Sequence, residues 1–137
     1  MGAWGTGAFD NDDAADFAGD LNDAAPADRP DLIREALEAA ADNEDYLEAP
    51  EANAAIAAAA IVASQQPDGP EVDSAYGPDF LIDGGSIDLP DEFVELALRA
   101  IARILSDESE WRDLWDEAES LDEAITALEP IRAALNR

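Results

Sequence analysis

The chain lacks cysteine, histidine and lysine, and its basic side chains are seven arginines. Without cysteine and histidine it has no disulfides, no thiolate nucleophile, no imidazole base and no zinc site of the usual ligand types. Serine and cysteine hydrolases that depend on a histidine base are therefore excluded. Catalysis would have to use carboxylates, Tyr46, Tyr76, arginine, serine or threonine, and the sequence identifies neither a catalytic residue nor a cofactor.

Long apolar runs are also scarce. The longest one, from Ala54 to Ala63, is mostly alanine and reaches about half the length that a bilayer requires. The N-terminus has no basic region followed by a continuous apolar segment, so it does not resemble a signal peptide. We therefore expect a cytoplasmic protein that does not associate with membranes.

Acidic residues dominate the composition, with 34 Asp and Glu and a formal net charge of -27. Such a field repels phosphates, which predicts no binding of nucleic acid and favours a basic protein as partner. Residues 65–92 contain eight acids and no base, and residues 107–123 contain nine acids and one arginine, so these two stretches are the strongest candidates for an acidic face. A GC-rich genome or adaptation to a salty cytosol would produce the same bias.

Thirty residues are alanine, so large core side chains are few and the helices are expected to pack closely through alanine faces. The length suits one domain, residues 1–137. Apolar residues recur at helical spacing through most of the chain, which predicts an all-α, single-domain bundle of five to six helices. The predicted helices span residues 11–23, 30–42, 50–63, 90–106, about 107–118, and 120 to the end. The third is apolar on all sides, which places it at the centre of the fold.

Possible capping boxes, Asp107 with Glu110 and Ser120 with Glu123, mark the starts of the last two helices. Pairs of arginine and acid at helical spacing predict local ion pairs. These pairs are Asp31–Arg34, Glu95–Arg99, Arg103–Asp107, Glu108–Arg112 and Glu129–Arg132.

Proline and glycine interrupt the helical pattern in two places. A long Gly/Pro-rich loop is predicted around residues 65–89, with one short strand at Phe80 to Ile82. Pro130 lies inside the last apolar pattern and predicts a kink or break near Leu128.

Trp111 and Trp115 are four residues apart on one helical face. This spacing is typical of a core position. The alternative is an aromatic patch that binds a partner.

The N-terminus carries the candidate functional motif. Residues 1–9 form a Gly/Trp arm that we expect to tuck against the bundle through Trp4 and Phe9. The residues of the motif are Trp4, Gly7, Phe9, Asp10, Asn11 and Asp12. Asp10 and Asn11 are good N-cap residues, and the acids that follow suit the first turn of a helix. Calcium loops of the helix-loop-helix type require a glycine where this chain has Ala15, so we predict a cap and a solvated face here, with no specific metal site.

The opening of the chain resembles the bacterial family called domain of unknown function 4259. The matching features are Met1-Gly2, Trp4, Gly7, Phe9-Asp10-Asn11-Asp12 and Ala15-Asp16-Phe17. Further similar stretches are Asp45-Tyr46-Leu47-Glu48, residues 57–63, Ala75-Tyr76-Gly77-Pro78 and residues 110–115. The resemblance implies a small, acidic, mostly helical protein, and it assigns no catalytic residue.

Two functions remain open from the sequence. The first is a protein–protein interaction module for a cationic partner, and inhibition of a basic toxin or enzyme fits the size and charge. The second is a carboxylate-based or divalent-cation-dependent enzyme centred on Phe9-Asp10-Asn11-Asp12. An enzyme needs a concave pocket with converging carboxylates, whereas a binding module needs a broad acidic surface with a few exposed apolar anchors. The sequence does not predict the oligomeric state.

Overall fold

Apolar residues at helical spacing form helices throughout the described part of the chain. The structure, a computed structural model, describes residues 7–67, 69–72, 77–82 and 86–136. Within these ranges it has seven α-helices, one 3-10 turn and no strand. They are α1 Asp12–Asp23, the 3-10 turn Pro26–Asp28, α2 Arg29–Ala41, α3 Ala49–Ser64, α4 Asp79–Ile82, α5 Glu92–Leu105, α6 Glu110–Glu117 and α7 Leu121–Leu135. The predicted all-α class is confirmed.

The prediction of five to six helices and of a strand at Phe80 to Ile82 is wrong. These residues belong to α4, a single turn inside the segment that was expected to be a loop. The N–H of Asp79 donates to Asn22 Oδ1 at 2.8 Å, and the N–H of Leu81 donates to the Pro78 carbonyl at 3.1 Å. These contacts come from a distant side chain and from a turn, so the apolar run alone could not reveal them. The other described residues of the predicted loop, 65–67, 69–72, 77–78 and 86–89, belong to no helix or strand, and residues 68, 73–76 and 83–85 lie outside the described residues.

Helix α3 lies at the centre of the bundle, as its uniformly apolar sequence predicts. It packs against α1, α2, α5, α6 and α7. Its buried side chains are Ala52, Ala55, Ile56, Ala57, Ala58, Ala59, Ala60, Ile61, Val62 and Ala63. Because most of them end in a single methyl group, neighbouring helices can approach α3 from several sides.

Each predicted capping box is replaced by another arrangement. Helix α6 starts three residues after Asp107, and its N-cap is the buried Ser109, whose Oγ accepts from the Arg112 N–H at 3.4 Å. The reason is the preceding Glu108, whose φ of 62° turns the chain before the helix can begin. At α7, the Ser120 side chain makes no cap hydrogen bond and instead donates to the Ala118 carbonyl at 3.4 Å.

The break predicted near Leu128 is absent, because α7 continues through Pro130 from Leu121 to Leu135. Proline in a helix interior removes one hydrogen bond and costs ~3 kcal/mol. Apolar side chains on both sides of the proline pack into the core, namely Leu128, Ile131, Ala134 and Leu135. Their burial holds the helix together across the missing bond.

The two tryptophans of α6 differ in burial. Trp111 is buried in the core, and Trp115 is half-buried against the main apolar cluster. The interpretation of their spacing as core is confirmed for Trp111, whereas Trp115 lies at the edge of the core.

Most of the arginines do not form the predicted local pairs. Among the described residues only Glu129–Arg132 does, at 3.1 Å, whereas Arg34 pairs with Glu92 and Arg99 pairs with Asp42 in other helices or loops. The others donate to main-chain carbonyls: Arg29 to Leu21, Arg112 to Leu105, and Arg103 to Asn43, Asp45, Asp107 and Glu108. Carbonyls at helix ends and in loops lack helical partners, so guanidinium groups satisfy them.

Within the described ranges, no helix combines the length and the apolar character that crossing a membrane requires.

We expect Ala58→Leu, in the fully buried face of α3, to lower the free energy of unfolding by about 1–3 kcal/mol, because the added atoms have no space between packed helices. Denaturant titration followed by circular dichroism measures the change. Ala102→Leu on the exposed side of α5 is the matched control and should leave stability nearly unchanged. Equal stability of the two variants would contradict the close packing of α3.

Candidate functional site

The N-terminal motif forms a tight turn before α1. The Asp10 N–H donates to the Gly7 carbonyl at 3.1 Å, and the Gly7 N–H donates to Asp10 Oδ2 at 3.1 Å. A Cβ added at Gly7 would lie 2.6 Å from that carboxylate oxygen, so any other residue here would displace the carboxylate from this place. Asp10 therefore closes the turn and does not cap the helix. Trp4, the first residue of the motif, lies outside the described residues.

Asn11 is the N-cap of α1. Its Oδ1 accepts from the Ala14 N–H at 2.8 Å, and its side chain is buried. Asp12 is exposed in the first turn, where a negative charge complements the helix dipole. Asp13 accepts from Asn53 Nδ2 at 3.0 Å and ties α1 to α3. The polar residues of the motif thus hold the start of α1 in place.

Part of the motif also lines a cleft. Gly7, Phe9 and Asp10 form one wall, and residues of α3, of the segment 70–72 and of α7 form the others. The cleft has a volume of about 310 Å³. Phe9 is 4% exposed and forms part of the core beneath it.

The carboxylates of the motif do not converge as a metal centre would require. Among the described residues, no group of three or more acidic side chains is placed so that it could hold a metal ion. Asp10 is engaged by Gly7, and Asp13 is engaged by Asn53.

A different acidic groove lies where Tyr46 meets α6. It has a volume of about 390 Å³ and contains four carboxylates, with no basic side chain among its described lining residues. The lining residues are Tyr46, Glu110, Asp113, Leu114, Asp116 and Glu117. Helix α6 lies inside the stretch 107–123, one of the two predicted acidic faces. We call this site the Tyr46 groove.

Backbone contacts fix the Tyr46 groove. The Leu47 N–H donates to the Glu108 carbonyl at 2.9 Å, and the Glu110 N–H donates to the Leu47 carbonyl at 2.8 Å, so Leu47 and Ser109 form an isolated parallel bridge. Glu110 Oε1 accepts from the Ala49 N–H at 2.7 Å, at the start of α3. These bonds hold the segment before α3 against the start of α6.

Arg103 joins the same two segments from the side of α5. Its guanidinium donates to the carbonyls of Asn43 and Asp45 in one loop and to those of Asp107 and Glu108 in the other. Both walls of the Tyr46 groove are therefore held by one side chain.

Among the described residues, Tyr46 is the large hydrophobic residue that is exposed to solvent, with 46% of its area accessible. Its hydroxyl donates to Asp113 Oδ2 at 2.7 Å. This hydrogen bond to the Asp113 carboxylate is the main reason that the pKa of Tyr46 rises from 10.0 to about 12; partial burial and the charges of Asp113, Glu110 and Glu117 contribute less. The phenol therefore stays protonated, and keeps donating, in alkaline solution above pH 10.0.

The sequence did not reveal this pairing. Tyr46 is one of the few residues in this sequence able to do chemistry, but Asp113 is 67 positions away along the chain. No local pattern connects a tyrosine before α3 with a carboxylate on α6. The acidic character of residues 107–123 was the one signal available.

The groove between α2 and α5 contains charges of both signs. Its volume is about 350 Å³, and both acids and arginines line it. Ion pairs from Arg34 to Glu92 and from Arg99 to Asp42 engage both arginines and two of the four acids. The excess of acids over arginines is therefore smaller here than in the Tyr46 groove.

Asn11→Ala should lower the free energy of unfolding by about 1 kcal/mol, because the Ala14 N–H loses its acceptor. Asn11→Asp keeps an oxygen at that position and should retain most of the stability. Thermal and denaturant unfolding compare the two variants. A stable Asn11→Ala protein would show that the residue has no structural role and would direct attention back to function.

Asp113→Asn should lower the pKa of Tyr46 from about 12 toward 10.0, because the substitution removes the anionic acceptor of the phenol hydrogen bond. Ultraviolet titration of tyrosinate in a Tyr76→Phe background isolates this group. Asp116→Asn lies in the same groove but is not among the causes of the shift, so it serves as the control. If the pKa of Tyr46 is the same in Asp113→Asn as in the wild type, the assigned hydrogen bond is refuted.

The same shift links the stability of the fold to pH. Because the pKa of Tyr46 is higher in the folded chain, its protonated phenol stabilises the fold fully below pH 10.0, and this contribution is lost as the pH rises through about 12.

Comparison with known proteins identifies the family. The family model described as domain of unknown function (DUF4259) matches residues 2–127. No curated protein and no solved structure is detectably similar to the chain. The match covers most of the 137 residues and includes both the N-terminal motif and the Tyr46 groove. The chain belongs to the DUF4259 family.

Proposed function

We propose that this protein is a single-domain binding module that docks a cationic protein partner at the Tyr46 groove. The observation that carries the proposal is an exposed tyrosine ring surrounded by four carboxylates with no basic residue among the described lining. Tyrosine is among the residues that most often dominate binding energy at interfaces. A basic side chain can stack on the ring and pair with the carboxylates around it.

The charge of the whole chain supports the same proposal. A net charge of -27 accelerates encounter with a basic partner and suppresses encounter with anionic ones. Inhibition of a basic enzyme or toxin in a bacterial cytoplasm is one role that this arrangement would serve. The groove is also prepared for binding, because main-chain bonds and Arg103 hold its walls before a partner arrives.

The enzyme alternative centred on Phe9-Asp10-Asn11-Asp12 has less support. Asp10 and Asn11 are committed to a turn and to a helix cap, while Phe9 is buried. Only Asp12 is both charged and exposed, and a single carboxylate supplies no acid–base pair.

The proposal is tested with a nona-arginine peptide and with cytosol of the native organism. Tyr46→Ala should weaken peptide binding by about tenfold or more, since truncation of an anchor costs ≥ ~2 kcal/mol. Calorimetry near physiological salt measures the affinity. Asp16→Asn, an exposed charge change on α1, is the control for net charge and should have little effect. In parallel, immobilised protein should capture a basic protein that elutes with salt and that Tyr46→Ala fails to capture.

Equal weakening by Tyr46→Ala and Asp16→Asn would mean that the peptide senses only the diffuse field. Capture of the same proteins by wild type and by Tyr46→Ala would likewise refute the assignment of the Tyr46 groove.

A further inference from the structure

The cleft beside the N-terminal motif shares no lining residue with the Tyr46 groove, and it has a different chemistry. Its walls are mainly apolar: Phe9 and Ile131 are buried beneath it, and Val72 is half-buried at its side. Its volume of about 310 Å³ is at the lower end of the range for small-molecule sites. It corresponds to roughly ten water molecules, enough for the body of a small ligand.

Small residues create this space. Ala60 of α3 and Ala127 of α7 face the cleft with single methyl groups. A longer side chain at Ala127 would fill the cleft from the surface of α7 without changing its charge. This offers a way to block the cleft that leaves its acidic groups intact.

The charges of the cleft have one sign. Its two ionisable lining residues are Asp10 and Glu71, and no arginine is among the described residues that line it. Arg132, which follows the lining residue Ile131, is paired with Glu129. Any ionic ligand of this cleft must therefore be a cation.

Asp10 can accept a hydrogen bond from such a ligand. Its Oδ2 accepts from the Gly7 N–H, and its Oδ1 has no hydrogen-bond partner within the described ranges. The absence of a Cβ at position 7 is what allows the carboxylate to lie in this place. The turn thus fixes one oxygen and leaves the other for a donor.

An ammonium group carries several donors and no acceptor, which matches a cleft whose described ionisable groups are the carboxylates of Asp10 and Glu71.

We propose that this cleft binds a small organic ammonium ion, with its apolar body against Phe9, Val72 and Ile131 and its cationic head near Asp10 and Glu71. The proposal is independent of the proposed function, since it concerns other residues. It also accounts for Gly7, Phe9 and Asp10 occurring together, because the three residues form one wall of the cleft.

The test uses 2-phenylethylammonium as the probe, with 2-phenylethanol as its neutral analogue. Titration followed by protein NMR at about 1 M NaCl, where the Debye length is about 3 Å, suppresses diffuse condensation of cations on the surface. We expect saturable shifts of residues around the cleft with the ammonium and much weaker ones with the alcohol. Asp10→Asn, which keeps an acceptor for Gly7, should weaken binding about tenfold.

Two matched pairs of variants separate the cleft from the rest of the surface. Ala127→Leu should abolish binding by filling the cleft, whereas Ala133→Leu on the exposed side of the same helix should leave it intact. Asp16→Asn should bind like wild type. Unfolding measurements confirm that each variant is folded.

The proposal is overturned if no saturable binding occurs, if Asp16→Asn weakens binding as much as Asp10→Asn, or if the alcohol binds as well as the ammonium. Shifts confined to Tyr46 and α6 would also overturn it, because they would place the cation in the Tyr46 groove. Binding that survives Ala127→Leu would show that the cleft is not the site.

Discussion

Close packing around α3 organises the whole bundle. Five other helices contact this one helix, and its buried face is mostly alanine. Alanine loses no side-chain entropy on burial, and its short side chain lets backbones approach. The cost is that each residue buries little apolar area, so stability has to come from many contacts at once. Large side chains such as Phe93, Leu37 and Trp111 fill the remaining space between the outer helices.

The fold tolerates its acidic surface because its few arginines bind main-chain carbonyls that lack helical partners. Arg103 satisfies carbonyls of two loops, and Arg112 and Arg29 satisfy carbonyls near the ends of α5 and α1. A guanidinium has five donors in a rigid plane, so it can bind several carbonyls at once, whereas a local ion pair on a helix requires fewer donors. The carboxylates left without arginine partners remain on the surface, where water and counter-ions screen them. The Tyr46 groove is one place where several of them meet at a fixed aromatic ring.

Some features of the N-terminal motif could be predicted and others could not. Asn11 as a cap follows from residue type, and the packing of Phe9 follows from its being an aromatic residue on a short arm. Asp10 was expected to cap the helix, but the Gly7 turn takes its carboxylate instead. Two residues with similar cap propensity stand next to each other, and only the path of the chain before them decides which one caps. The cleft that they line needs α3 and α7, which are distant in sequence.

The all-α class, the central position of α3 and the strongly negative charge can be predicted from the sequence, because they follow from composition and from periodicity within one helix. Four other features are fixed only in the folded chain: the partners of the arginines, the continuity of α7 through Pro130, the turn at α4 and the meeting of Tyr46 with Asp113. Each of these depends on groups tens of residues apart or on burial that outweighs a local preference. Local propensities are worth at most a few kcal/mol per residue, so packing and long-range hydrogen bonds of similar size can reverse them.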